Sequence, residues 1–166
     1  SVDVGVCVSG LHADSALTAT VGEIAPETAR LLETTRRARV AGIAVARAGN
    51  HVGDIGFAVQ QVAEAAGYSV VRELVGHGIG TQFHEEPQVP NFGKRHHGAR
   101  LMPGMTLAIE PMVNVGGPEI RTLTDRWTVV TADGSLSAHF EHTVVITENG
   151  ARILTKADGP EPPVSR

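Results

Sequence analysis

Two histidines, His77 and His84, stand seven residues apart in the run Leu74 to Pro87, which reads Leu-Val-Gly-His-Gly-Ile-Gly-Thr-Gln-Phe-His-Glu-Glu-Pro. Gly76 and Gly78 flank the first, and Gly80 follows closely. Glycine allows backbone angles and close approaches that a side chain blocks. The run is therefore expected to be neither ordinary helix nor ordinary strand, but backbone bent to point imidazoles into one space. An imidazole suits metal ligation or proton transfer, because one ring nitrogen can act while a neighbour holds the other. Taken alone, a glycine-rich surface loop with incidental histidines explains this run equally well.

Carboxylates elsewhere in the chain change that balance. Glu110 lies inside Leu-Ala-Ile-Glu-Pro-Met-Val and Glu141 inside Ala-His-Phe-Glu-His-Thr-Val-Val-Ile, while Asp3 and Asp14 lie near the start of the chain. One glutamate among strand-forming apolar residues is usually half-exposed, and burying it alone is costly. Four acidic residues on strands with a glycine-framed His77 form an oxygen-rich set with one nitrogen. Such donors suit hard or borderline divalent ions such as Mn, Fe, Co or Zn. Four carboxylates balance the charge of two divalent cations, which favours two ions over one. Two adjacent metals can activate a water and hold a substrate oxygen, which is hydrolysis chemistry.

The elements that must position these residues follow from patterning. Val2, Val4, Val6 and Val8 alternate with Asp3, Gly5 and Cys7, a strand signature, and Ser9-Gly10 is a turn signal before a second strand from Leu11 to Val21. A two-residue turn there puts Val8 opposite Leu11 and Gly5 opposite Asp14. Asp3 then lies diagonally from Asp14 on the same face, about 7–8 Å away. Two carboxylates on one face repel unless something positive sits between them. Pro26 and Glu27 open a helix running to about Ala48, with Leu31, Ala38 and Val45 as its stripe, broadened by Leu32, Ala41, Ala44 and Ala48. A second helix spans about Val52 to Ala66, with Ile55, Val59, Val62 and Ala66 on its apolar face and Gly67 as its stop. Strands are expected over Tyr68 to Leu74, Met105 to Val115, Ile120 to Leu123, Trp127 to Thr131 and Leu136 to Thr147, with a last hairpin turn at Asn149-Gly150. Asn91 to Arg100 reads as a polar loop. The fold class is α+β, an antiparallel sheet backed by helices.

Composition narrows the function class. A chain of 166 residues with 42% hydrophobic and 19% charged residues is globular and fits one domain. A net charge of −4 and a single basic cluster, Arg36, Arg37 and Arg39 on one helix, read as a solvated face and argue against nucleic-acid binding as a main role. One cysteine, Cys7, cannot form an internal disulfide and fits a reducing, cytoplasmic setting. No apolar run reaches the roughly 20 residues of a membrane helix. The chain begins at Ser1 inside a strand pattern, so a segment upstream is expected to have been removed.

Asp3, Asp14, His77, Glu110 and Glu141, set in Gly-His-Gly-Ile-Gly, His-Glu-Glu-Pro and Ile-Glu-Pro-Met, resemble the type I methionine aminopeptidase family from the first residue to about Thr155. The resemblance implies the pita-bread fold, a pseudo-symmetric α+β metallopeptidase. It implies two divalent metal ions (Co, Mn, Fe or Zn). Asp3 would chelate one ion, His77 and Glu110 the other, and Asp14 and Glu141 would bridge both. His84 would hydrogen-bond the scissile amide, and Phe83 and Trp127 would line the methionine pocket. Glu110 would shuttle a proton to the departing amine. The implied substrates are nascent polypeptides bearing an initiator methionine and a small second residue. The ribosome is a candidate partner, and the protein is expected to act as a monomer without a membrane. The family also has a further N-terminal segment, which supplies a second substrate-contacting histidine and half of the sheet. The chain is thus expected to be a C-terminal portion, with residues 1–156 as the catalytic domain and 157–166 as a flexible tail.

The remaining candidates carry less. His12, His51, His96, His97 and His139 are expected at the surface or behind the ligands, His142 on the face opposite Glu141, and Cys7 in packing. Two alternatives compete: a catalytically silent fragment or binding domain of the same fold, and a proline-specific peptidase of that fold. The Phe83 to Pro87 run and Trp127 favour the methionine enzyme over the latter.

Overall fold

Ser9 and Gly10 take positive φ, 53° and 79°, as a two-residue hairpin turn requires. In this computed structural model, which describes residues 1–156, they join β1 (Val2–Val8) to β2 (Leu11–Leu17). The register is the one expected: Val8 pairs with Leu11, Gly5 with Asp14 and Asp3 with Ala16, without a bulge. Asp3, Gly5, Cys7, His12 and Asp14 therefore share one face. Cys7 is exposed and does not pack in a core, contrary to expectation. The opposite face exposes Val2, Val4, Val6, Val8 and Leu11. The second strand ends at Leu17 rather than at Val21.

Two helices follow. Pro26 opens α1 (Pro26–Val45) after an extended Ala25, and Glu27 sits in its positively polarised first turn. Leu31, Leu32, Thr35, Ala38 and Gly42 form its buried face; Val45 is only half-buried and Ala44 is exposed. The helix rotates because Gly42 meets α2 (Val52–Ala65): a Cβ there would lie 2.9 Å from a Val59 methyl carbon. Arg39 is buried with its guanidinium 5.8 Å from the Phe140 ring, so the basic cluster is not wholly a solvated face. Gly67, at φ 84°, ends α2 as expected.

Gly56 makes a close approach of another kind. A Cβ on it would lie 2.3 Å from the Phe92 carbonyl oxygen, so α2 and the 90–100 loop touch backbone to backbone. Alanine has the better helix propensity by about 1 kcal/mol. Overpacking against immovable backbone outweighs that, and Gly56→Ala is expected to lower stability by about 2 kcal/mol. Urea unfolding checks this; an unchanged midpoint would contradict the packing described.

After α2 the chain builds two antiparallel sheets. The three-stranded one has the order β10 (Ser137–His139), β7 (Met112–Asn114), β3 (Ser69–Val70). The five-stranded one runs β12 (Gly150–Ile153), β11 (His142–Thr147), β6 (Thr106–Ile109), β4 (Gly76–Gly78), β5 (Glu85–Val89). A separate ribbon pairs β8 (Ile120–Thr122) with β9 (Val129–Thr131). Two strands expected to be continuous are broken. The first passes from β6 to β7 at Glu110-Pro111, where proline has no N–H for a ladder. The second passes from β10 to β11 at Phe140-Glu141, directly across from that break. The strand expected over Tyr68 to Leu74 shrinks to β3, because its partner β7 is itself only three residues long.

The helices cover both sheets. Leu31, Leu32, Val59 and Ala63 pack with Val70, Val113 and Phe140, while Ala46, Val52 and Ile55 pack with Leu107, Ile109 and Val144. The α+β architecture of an antiparallel sheet backed by helices is as expected. The tail assigned to 157–166 lies outside the described residues.

Candidate metal centre

The glycine-histidine run is bent on both sides of a three-residue strand, β4, whose own pairing is irregular. β4 lies between β5 and β6, and its pairing with β5 shifts register between Gly76 and Gly78. A Cβ on Gly76 would lie 2.3 Å from the Ala108 carbonyl oxygen, and one on Gly78 2.3 Å from that of Glu86. The glycines are needed because the backbones on either side come too close for anything larger. The register shift falls at His77, where such irregularities re-aim a side chain.

His77 is buried, and its Nδ1 lies 2.8 Å from the Gly78 carbonyl oxygen. A carbonyl only accepts, so Nδ1 carries the proton and Nε2 is left to bind. That Nε2 is 3.4 Å from Glu110 Oε1 and 4.0 Å from Asp14 Oδ2. Asp14, His77 and Glu141, all buried, bring ligand atoms within 4.8 Å of one another. The two sheet breaks explain this convergence: Glu110 and Glu141 are freed from regular ladders at facing corners. The hairpin is tied to the same corner. Thr143 Oγ1 donates to the Asp14 carbonyl and accepts from the Asp14 N–H, Glu141 N–H donates to Ala16 O, and His12 N–H donates to Gly80 O.

The electrostatics are those of a site built for cations. Glu141 is 1% exposed, and neither of its carboxylate oxygens has a hydrogen-bond partner. Burial, then the charges of Glu110, Asp14 and Asp3, push its carboxyl up to about 9. Burial, followed by the charge and hydrogen bond of Asp3, raises Asp14 to about 6. An isolated buried carboxylate is among the costliest groups to leave unmatched. A divalent ion among Asp14, Glu141, Glu110 and His77 Nε2 removes that cost with donors of suitable hardness. The residues present fit such a group.

Asp3 is exposed at the start of β1, on the face it shares with Asp14, and helps to raise the Asp14 carboxyl. His84 is exposed, with its ring centroid 4.3 Å from that of His77. Both histidines line a cleft of about 780 Å³ with Thr81, Gln82, Glu85 and Gln88. Phe83 does not line this cleft. Its ring instead covers Gly5, where a Cβ would meet Phe83 Cζ at 2.6 Å, and it stands edge-on to His12 at 5.8 Å. Trp127, expected beside Phe83, is 87% exposed at the turn of the β8–β9 ribbon and does not line the cleft. That ribbon pairs with neither main sheet, so nothing in the pairing carries Trp127 towards His77.

His139, expected only at the surface or behind the ligands, is half-buried with Nε2 3.6 Å from Glu110 Oε2. Glu110 thus lies between two imidazoles. Strand parity was the available signal, since His139, Glu141 and Thr143 alternate onto one face. His142 turns the other way, its Nδ1 3.0 Å from Thr155 Oγ1.

The family model for metallopeptidase family M24 matches residues 1–148. The chain belongs to metallopeptidase family M24. Among curated M24 relatives, the methionine aminopeptidase of Clostridium perfringens is 54% identical over 155 residues, covering 93% of this chain and 62% of that protein. The crystal structure of methionine aminopeptidase from Thermotoga maritima superposes with a TM-score of 0.91 at 46% identity, over 93% of this chain and 62% of that one. The prolidase of Pyrococcus furiosus matches at a TM-score of 0.74 and 23% identity, which is a likeness of fold. The pita-bread fold of M24 is therefore the fold of this chain, which spans about 62% of the length of the first of these relatives. M24 membership also implies divalent metal as a cofactor. No helix among the described residues is long and apolar enough to cross a membrane.

Proposed function

We propose that this chain carries the catalytic centre of an aminopeptidase that removes the initiator methionine from nascent polypeptides with a small second residue. The observation that carries the proposal is the orphaned, buried Glu141 carboxylate facing Asp14, Glu110 and the free Nε2 of His77. The 54% identity to a methionine aminopeptidase supports the choice of substrate. Two divalent ions (Co, Mn, Fe or Zn) are the proposed cofactors. Asp3 would hold one, His77 and Glu110 the other, and Asp14 and Glu141 both. When bound, such ions supply Lewis-acid activation of water and of the scissile carbonyl at neutral pH.

The chain's own side chains do the rest. His84, exposed beside His77, donates a hydrogen bond to the scissile amide and steadies charge as it develops there. Glu110 takes a proton from the attacking water and passes it to the departing amine, which leaves as the new N-terminus. His139, with Nε2 buried and 3.6 Å from Glu110 Oε2, makes no hydrogen bond to it as it stands and would act on Glu110 only by closing that gap. Phe83 offers an apolar surface to the methionine side chain, and Trp127 would join it only by movement of its ribbon. The cytoplasm, where nascent chains emerge, is the proposed compartment. A monomer working near the ribosome is the proposed state.

Release of free methionine from a Met-Ala peptide by this chain, with Mn or Co added, tests the proposal. Release that disappears in Glu141→Ala and is absent with Leu-Ala supports it. No release from a metal-loaded, folded chain would overturn it for this stretch of sequence. If His139 closes onto Glu110 when metal binds, His139→Ala is expected to weaken metal binding by about 10–100-fold, as loss of a group that orients a ligand does. Calorimetric titration with Mn measures this independently of turnover.

A further inference from the structure

We propose that His51, Asp54 and His96 form a second metal site, for a single divalent ion of borderline softness such as Zn. It shares no residue with the first centre. The three side chains offer ligand atoms that all lie within 4.8 Å of one another. His51 Nδ1 is 3.8 Å from Asp54 Oδ2, and His96 Nδ1 is 3.8 Å from Asp54 Oδ1. These separations are too long for hydrogen bonds. Two donors on one tetrahedral zinc ion sit about 3.3 Å apart, given metal–ligand bonds of about 2.0–2.1 Å. Because the two distances run to different oxygens of Asp54, gathering these donors on one ion requires both imidazoles to turn towards the carboxylate. His51 Nδ1 is shielded from solvent and makes no full hydrogen bond, although the imidazole also faces the Asp54 N–H at the start of α2.

Helix capping explains only part of this arrangement. Asp54, at the third position of α2, accepts the His51 N–H at 2.8 Å and the His96 N–H at 3.1 Å. The His51 imidazole faces the Asp54 N–H in return, a reciprocal capping box, but capping gives the His96 imidazole no role. The backbone also pre-positions both histidines. His51 bridges to Arg100 across the ends of the loop, Val52 N–H donates to Ala99 O, and Gly53 N–H donates to His97 O. Gly53 has no room for a Cβ, which would lie 2.4 Å from the Lys94 carbonyl oxygen. His96 is thus an exposed side chain on a closely held backbone.

A two-imidazole, one-carboxylate set suits zinc, nickel, cobalt or copper better than magnesium or calcium. The positive end of α2 opposes a cation, so the site is weaker than a closed four-ligand one. Its remaining positions stay open to water. A bound ion would clamp the 90–100 loop to the start of α2.

Zinc stoichiometry on the untagged chain, by equilibrium dialysis with elemental analysis, tests this. Wild type is expected to hold one equivalent more than His96→Ala and one more than His51→Ala. His77→Ala/Glu141→Ala, with the first centre removed, is expected to keep one equivalent that adding His96→Ala abolishes. Equal stoichiometry in wild type and His96→Ala overturns the site. So does zinc that persists in the first-centre variant after both His51 and His96 are replaced. The wild-type comparison alters only one exposed side chain, so it stands even if the multiple variants fail to fold. Methionine release is expected to be the same in wild type and His96→Ala, which separates this site from the first.

Discussion

Glu141→Gln is expected to abolish high-affinity binding of divalent ions at the Asp14, His77 and Glu110 centre, and methionine release with it. The side chain is 1% exposed, accepts no hydrogen bond and faces three other carboxylates. Among the described residues nothing hydrogen-bonds its carboxylate, so a cation is what its ionised form is shaped to meet. The amide keeps the volume but removes the charge and replaces one ligand oxygen with N–H donors. Losing a ligand should cost more than the about 10–100-fold typical of a group that only orients one. The same substitution should raise the melting temperature of the metal-free protein above neutral pH, because it removes a buried unpaired charge. Calorimetric titration with Mn and a melt in chelator check the two halves. Wild-type affinity in the variant would remove Glu141 from the centre.

The metal-free chain is expected to lose stability as pH rises from about 5 to 9, the reverse of acid denaturation. Glu141 is raised from 4.5 to about 9, first by burial and then by its carboxylate neighbours. Asp14 is raised from 3.8 to about 6, again by burial first and then by Asp3. In both, the folded state holds its proton more tightly than the unfolded chain does. The stabilisation is therefore complete below the unfolded values and is lost as pH climbs through the folded ones, first at Asp14 and then at Glu141. A tenfold difference in proton affinity between the two states corresponds to about 1.4 kcal/mol, so the loss at Glu141 is several kcal/mol in order of magnitude. Divalent metal replaces the protons and should flatten or invert the trend. Urea unfolding at pH 6 and pH 8.5, in chelator and in Mn, measures it, with Glu141→Gln as the control that subtracts the histidines. A flat profile in chelator would mean the cluster is better solvated than its burial indicates.

Much of the centre was legible in residue types and parity. Alternation in Val2 to Val8 and the Ser9-Gly10 turn put Asp3 and Asp14 on one face, because a two-residue turn leaves one register open. The motifs around His77, Glu110 and Glu141 named the other candidate ligands. Parity also contained the signal for His139, two residues before Glu141. Other features depended on distant partners. Arg39 lies in a polar run of α1, and its burial, with the Phe140 ring 5.8 Å from its guanidinium, depends on chain about a hundred residues away. The glycine-histidine run is irregular as expected, but only neighbours on both sides make its Gly76–Gly78 piece a strand inside the sheet.

The sequence by itself determined which atoms can bind metal and which of them share a hairpin face, since donor chemistry and strand parity are local properties. Only the tertiary structure decided that two apparently continuous strands change sheets at Glu110 and Glu141, that β4 presents Nε2 of His77 to them, and that Trp127 stands apart. The same holds for His51 and His96, 45 positions apart in the chain and joined by a loop seated on α2. Pairing between strands, and the close backbone contacts that glycine permits, are settled by partners far away in sequence, and no local pattern encodes them.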